Sequence, residues 1–98
     1  MYTLTRSTRK NKKFMITTPE SKKIHFGSAL HSDFTMHHDE ERKERYIKRH
    51  AIKEDWTFKR INTAGFFSCY LLWNEKTLKQ SIKNVEKLFN IKIKYIEQ

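Results

Sequence analysis

The sequence predicts a small α+β domain, an antiparallel sheet of three or four strands with two or three helices packed on one face. Three observations carry this. Short segments rich in β-branched and aromatic residues, Tyr2–Ser7 and Phe14–Thr18, flank a basic, turn-prone stretch near the start. Apolar residues recur at helical spacing later in the chain, at Leu78, Ile82, Val85 and Phe89. The final residues alternate Ile91, Ile93 and Tyr95 with Lys92 and Lys94, the pattern of a strand with one buried face. Ninety-eight residues hold a single domain, 1–98.

Each element follows from local chemistry. Residues 2–7 and 14–18 read as a hairpin, and Pro19 ends its second strand because proline has no N–H to give a central ladder. A third extended piece, Lys22–Phe26, alternates Ile24 and Phe26 with Lys23 and His25, and Gly27 is expected to close it. Residues 28–38 read as a connecting loop. From Asp39 to about Glu54 a helix is expected. Asp39, Glu40 and Glu41 crowd its first turn, where the helix dipole favours negative charge. Opposite charges then fall one turn apart in Asp39–Lys43, Glu41–Arg45 and Glu44–Lys48. Its apolar positions are sparse (Tyr46, Ile47 and Ala51), so only a narrow face can dock.

Trp56–Ile61 fits a loop or a short strand. The run Ala64–Trp73 is apolar on nearly all sides; its length and Leu71–Leu72 favour a helix, although Gly65 sits near one end. Thr77, with Gln80 three residues on, is an N-cap for the helix carrying Leu78–Phe89, and Asn90 is its stop. The C-terminal strand is expected to pair with the N-terminal hairpin.

Composition excludes several classes. Two glycines and one proline are too few for a flexible linker or a low-complexity chain. A single cysteine, Cys69, excludes an internal disulfide framework and a multi-cysteine zinc site within one copy. Met1–Lys13 is basic but lacks the apolar stretch of a secretory signal. Ala64–Trp73 is also too short for a membrane span, which takes roughly 20 apolar residues. A soluble intracellular protein, not secreted, is expected.

The charge is the strongest compositional fact. Twenty-one Lys and Arg against eleven Asp and Glu give a formal charge of +10, which points to an anionic partner. It is also unevenly spread. The arm, residues 1–21, concentrates Arg6, Arg9, Lys10, Lys12 and Lys13 on a hairpin that can approach phosphates closely. Its plainer reading is a solubilising loop with lysines protecting a sheet edge. On the expected helix, residues turn by about 100° each, so Arg42, Arg45, Arg49 and Lys53 fall within an arc of roughly 80°, bordered by Tyr46. Such a guanidinium row can follow a phosphate backbone or meet an acidic partner helix. The plainer reading there is a solvated helix laced with ion pairs.

The remaining candidates are weaker. None of the histidines (His25, His31, His37, His38 and His50) forms the i,i+4 pair common in helical zinc sites. Asp33, His37, His38 and Asp39 combine into a nuclease-like metal centre only on paper, and His50 suits a buried hydrogen bond. Trp56, Phe58, Phe66, Phe67, Tyr70 and Trp73 could stack bases of a single strand, but at this spacing they read as core. Cys69, away from cations in an apolar run, reads as a buried inert thiol. No Gly-rich phosphate loop, paired carboxylates or nucleophile–base set stands out, so no enzyme activity, cofactor or small-molecule substrate is expected.

Two blocks, HFGSALHSDFTMHHDEERKERYIKRHAIKEDW (His25–Trp56) and NTAGFFSCYLLWNEKTLKQSI (Asn62–Ile82), read together, resemble a family of small basic uncharacterised proteins of large nucleocytoplasmic DNA viruses. The resemblance covers residues 22–83, leaving the arm and residues 84–98 outside. Phe67 and Tyr70 stand where that family commonly has tryptophan, Cys69 where a basic residue is common, and Glu75–Lys76 where Lys-Pro often appears. It supplies a setting and no catalytic residue: a virion, or the host cytoplasm or nucleus where a viral factory forms. The expectation is therefore a non-enzymatic, virion-associated protein whose basic surface holds nucleic acid by its backbone, with little sequence preference. The alternatives are a minor capsid or scaffold protein meeting acidic faces of other virion proteins and a small metal-dependent nuclease.

Overall fold

In the computed structural model, which describes residues 1–97, the chain enters as β1 (Tyr2–Arg6) and turns through Ser7–Asn11. It returns as β2 (Lys12–Thr17) and, after a turn at Thr18–Lys22, continues as β3 (Lys23–Ser28). Antiparallel pairing sets Leu4 opposite Ile16 and Arg6 opposite Phe14, then Ile16 opposite Ile24 and Phe14 opposite Phe26. Because side chains alternate along a strand, this register puts the apolar residues on one face. Tyr2, Leu4, Ile16, Ile24 and Phe26 are buried there. The opposite face, with Thr3, Thr5, Met15, Thr17, Lys23, His25 and Lys94, has no buried member.

Four α-helices, a 3₁₀ turn and a π-helical turn follow before the chain returns to the sheet. Inside the segment expected to be loop, α1 (Phe34–His37) makes one turn, too short to leave a periodic signature. Next, α2 (Glu40–Ala51) starts at Asp39, whose carboxylate accepts from the Glu41 and Arg42 amides. It stops three residues short of the expected end, where the amides of both Lys53 and Glu54 donate to the His50 carbonyl. Beyond it, Ile52 is 87% exposed, so nothing rewards further helix. Trp56–Ile61 contains a single 3₁₀ turn, Phe58–Arg60, and no strand.

The apolar run is helical as expected. It begins as α3 (Ala64–Phe67), capped by Thr63, and widens into a π-helical turn over Ser68–Leu72. Phe66, Phe67, Cys69, Leu71 and Leu72 are all buried, which explains why no amphipathic period was visible. Then α4 (Leu78–Phe89) runs between its Thr77 cap and Asn90, which takes left-handed backbone angles. The chain ends in β4 (Ile93–Tyr95) beside β1, giving the sheet order β3-β2-β1-β4.

The pairing of β4 with the hairpin is the expected one, but its direction is not: β4 runs parallel to β1, so the sheet is mixed. Alternation decides which face a residue takes and says nothing of strand direction. Glu86 on α4 accepts from the Ile93 amide at 2.8 Å and fixes where β4 begins. The helices cover one sheet face, and Leu4, Ile16, Phe66, Phe67, Leu71 and Val85 are fully enclosed between the layers. Among the described residues, no helix is long and apolar enough to cross a membrane.

Gly27 lies within β3 and does not close it. Its φ is +81°, and a Cβ there would stand 2.7 Å from Leu72 Cδ1 and 3.4 Å from Lys13 Cβ. The hairpin and the π-helical turn meet at this point only because the side chain is absent. Gly27→Ala should therefore lower unfolding stability by about 2–4 kcal/mol, combining left-handed strain with overpacking. Urea denaturation measures it; an unchanged midpoint would contradict the close approach.

Candidate anion-binding cleft

Of the twelve residues of α2, only Tyr46 is buried. Its ring lies parallel to the Trp73 indole, with centroids 4.3 Å apart and planes 4° from each other. His50 stacks on the same ring at 4.1 Å, and its Nδ1–H donates to the Tyr46 carbonyl at 2.9 Å, the hydrogen bond expected for that histidine. Two polar contacts reinforce the docking. The Tyr46 hydroxyl donates to Ser68 Oγ at 3.4 Å, and Lys43 Nζ donates to the Asn74 carbonyl at 2.6 Å while lying over the Phe34 ring.

That attachment fixes where the arginines go. Arg42 and Arg49 sit one turn to either side of Tyr46, within about 60° of its direction, and Arg45 lies about 100° away. With Tyr46 facing inward, these residues overhang the boundary between α2 and the sheet. There a cleft of about 560 Å³ opens. Arg42, Arg45 and Arg49 line it from α2, and Lys12 and Lys13 line it from β2. Phe26, Gly27 and Ser28 of β3 also contribute, with Tyr46, Leu72 and Trp73.

Two carboxylates share this space, Asp33 and Glu54. Asp33 is already committed: buried at 3% exposure, it accepts from Lys13 Nζ at 2.6 Å and from both the amide and the hydroxyl of Thr35. Lys13 is thus a structural cation more than a free one. Glu54 packs directly against Gly65, in the space a Cβ would need. The other ion pair among the described residues, Arg45–Glu41, is long at 4.0 Å and exposed. Such a contact leaves the guanidinium available. Lys12, Arg42 and Arg49 have no carboxylate partner among the described residues.

The two basic features read from the sequence therefore converge on one cavity, though not with every member. Lys12, Lys13, Arg42, Arg45 and Arg49 meet there. Arg9 and Lys10 project from the exposed hairpin tip, and Arg6 ends β1 beside Tyr95. Lys53, expected on the helix stripe, lies past the end of α2 and lines a separate small cavity with Asp55, Arg60 and Thr63.

The other candidates take structural places. Asp33 and Asp39 cap helices, and His37 Nδ1 accepts from the Asp39 amide at 2.9 Å. Burial and the nearby Arg42 charge lower the pKa of the His37 ring from its ordinary value. Among the described residues, no group of three or more His, Cys, Asp or Glu is placed to hold a metal ion. Phe66 and Phe67 are core, as expected, whereas Phe58 is exposed and stacks on Phe89. Trp73 packs against the core, as expected, but is half-buried and also forms part of the cleft wall. Phe26 was not legible as a site residue, and Trp73 was legible only as one of several possible stacking aromatics, because each comes from an apolar pattern that only the tertiary fold brings under the arginines.

These observations define a class: a small α+β domain with a cationic, aromatic-walled cleft between a hairpin and a docked helix. Residues 2–50 match a family of unknown function (DUF5754), and the chain belongs to that family. The matched segment contains all five cations of the cleft, while Trp73 lies beyond it. No curated protein and no solved structure matches the chain.

Cys69 lies next to Ser68, on the π-helical turn beneath the cleft. Burial pushes its thiol up to about 12. The reactive thiolate is then scarcely populated at about pH 8, where an ordinary cysteine already ionises appreciably. Native protein should resist a thiol-specific reagent at that pH, and reaction should become rapid in urea. Rapid stoichiometric labelling of the native state would contradict the burial.

Proposed function

We propose that the protein binds the phosphate backbone of nucleic acid in the cleft between β2 and α2, without reading base sequence and without catalysing a reaction. The convergence of Lys12, Arg42, Arg45 and Arg49 from separate elements onto one cavity carries this reading. Arginines offer planar, bidentate donors to phosphate oxygens and stay charged at any physiological pH. Lys13 supports the site indirectly, by tying β2 to the Asp33 cap of α1. Arg9 and Lys10 at the exposed tip add long-range attraction along a polyanion. In this reading the protein works at a virion or a viral replication site, the setting implied by the resemblance of residues 22–83.

Salt dependence tests it. If four to six phosphates are engaged, affinity for a nucleic acid should fall about 10²- to 10³-fold between about 50 and 200 mM salt. Replacing Arg42 and Arg49 together by alanine should reduce the slope of log affinity against log salt by about two. Lys53→Ala, outside the cleft, should leave it unchanged. Absence of binding at low salt would remove nucleic acid and turn attention to acidic faces of virion proteins, to be sought by asking whether the protein fractionates with the shell.

A further inference from the structure

We infer that the cleft takes unpaired nucleotides, so that the protein is a single-strand binder whose aromatic wall receives a base while its arginine rim holds the adjoining phosphates. This rests on the backbone-binding reading and goes further, by naming the form of nucleic acid. The first argument is shape. A cavity of about 560 Å³ falls in the range of sites that enclose small ligands, about 300–1,000 Å³. The whole molecule measures only 35 × 28 × 23 Å. In a duplex the bases are paired and stacked inside the helix, so a duplex offers such a space only its backbone. An unpaired nucleotide can enter.

Lining chemistry gives the second argument. A surface that serves phosphate alone needs donors and no apolar floor. Here the cations overhang Phe26, Tyr46, Leu72 and Trp73. Trp73 and His50 are half-buried on that lining, Tyr46 covering one face of each and His37 packing at a tilt against Trp73. Tyr46 lies parallel to Trp73 and braces it. An anionic group joined to a planar, weakly polar one matches both halves, and that combination is a nucleotide. Bases stack on aromatic rings with little regard to identity, which agrees with the absence of any base-reading motif.

Fluorescence anisotropy with three labelled probes separates the possibilities: oligothymidylate of about ten nucleotides, an abasic phosphodiester strand of the same length, and a duplex of that length. Duplex DNA carries one charge per about 1.7 Å, so attraction by charge alone ranks the duplex first. The inference predicts the reverse, with oligothymidylate at least about tenfold tighter than either the abasic strand or the duplex. Trp73→Phe should keep most of that preference, and Trp73→Ala should abolish it. The abasic comparison stands even if the alanine variant misfolds. Equal binding of all three probes, or a preference for duplex, would overturn the base-receiving cleft while leaving backbone binding intact. If no probe binds at low salt, the backbone reading fails, and the single-strand inference with it.

Discussion

The parallel stack of Tyr46 on Trp73 is the contact on which the rest of the site depends. Helix α2 is polar nearly all round, and one aromatic ring is all that it buries. Its charged residues gain little from packing, and its one internal ion pair among the described residues, Glu41–Arg45, is worth only about 0.2–0.5 kcal/mol. The stack, with the Tyr46–Ser68 and Lys43–Asn74 hydrogen bonds, sets how the helix is rotated about its axis. With it, the helical period fixes Arg42, Arg45 and Arg49 over the cleft. Aromatic pairs in such geometry contribute about 0.5–1.5 kcal/mol beyond the area they bury. That is modest, but with those hydrogen bonds it is enough to choose one rotation of the helix.

The opposite wall is positioned by different physics. Lys13 and Asp33 form a largely buried ion pair, and burying both charges has a desolvation cost that can match the attraction between them. Its value here is geometric. The pair, with the Thr35 bonds to the same carboxylate, joins β2 to the turn that precedes α2. Gly27 adds a second constraint by letting the hairpin approach Leu72 without a Cβ between them. The two walls are thereby set by one ion pair, one glycine and one aromatic stack, while the exposed arginine side chains supply the electrostatic character.

Much of the fold was legible because its elements signal locally. The β3 alternation, the Thr77 cap, the period of α4 and the final alternating strand each appear where the sequence places them. What escaped was non-local or too short to repeat. One-turn α1 has no period, Gly27 looks like a terminator until its neighbour Leu72 is known, and the direction of β4 depends on how the intervening helices turn the chain. The basic residues were equally legible, since clustering and helical phase are both properties of nearby positions. Their grouping was legible only in part: Lys53 left the stripe because α2 ended early, and the aromatic wall came from residues that read as core.

The most direct test of this arrangement is amide chemical-shift mapping of the full chain during titration with a short oligonucleotide. The account predicts that Lys12, Gly27, Ser28, the Arg42–Arg49 turns of α2 and the Trp73 indole N–H all shift, and that they saturate at the same ligand concentration. Shifts confined to the exposed tip at Arg9 and Lys10, with α2 and Trp73 silent, would show that the cleft is not where the charge acts.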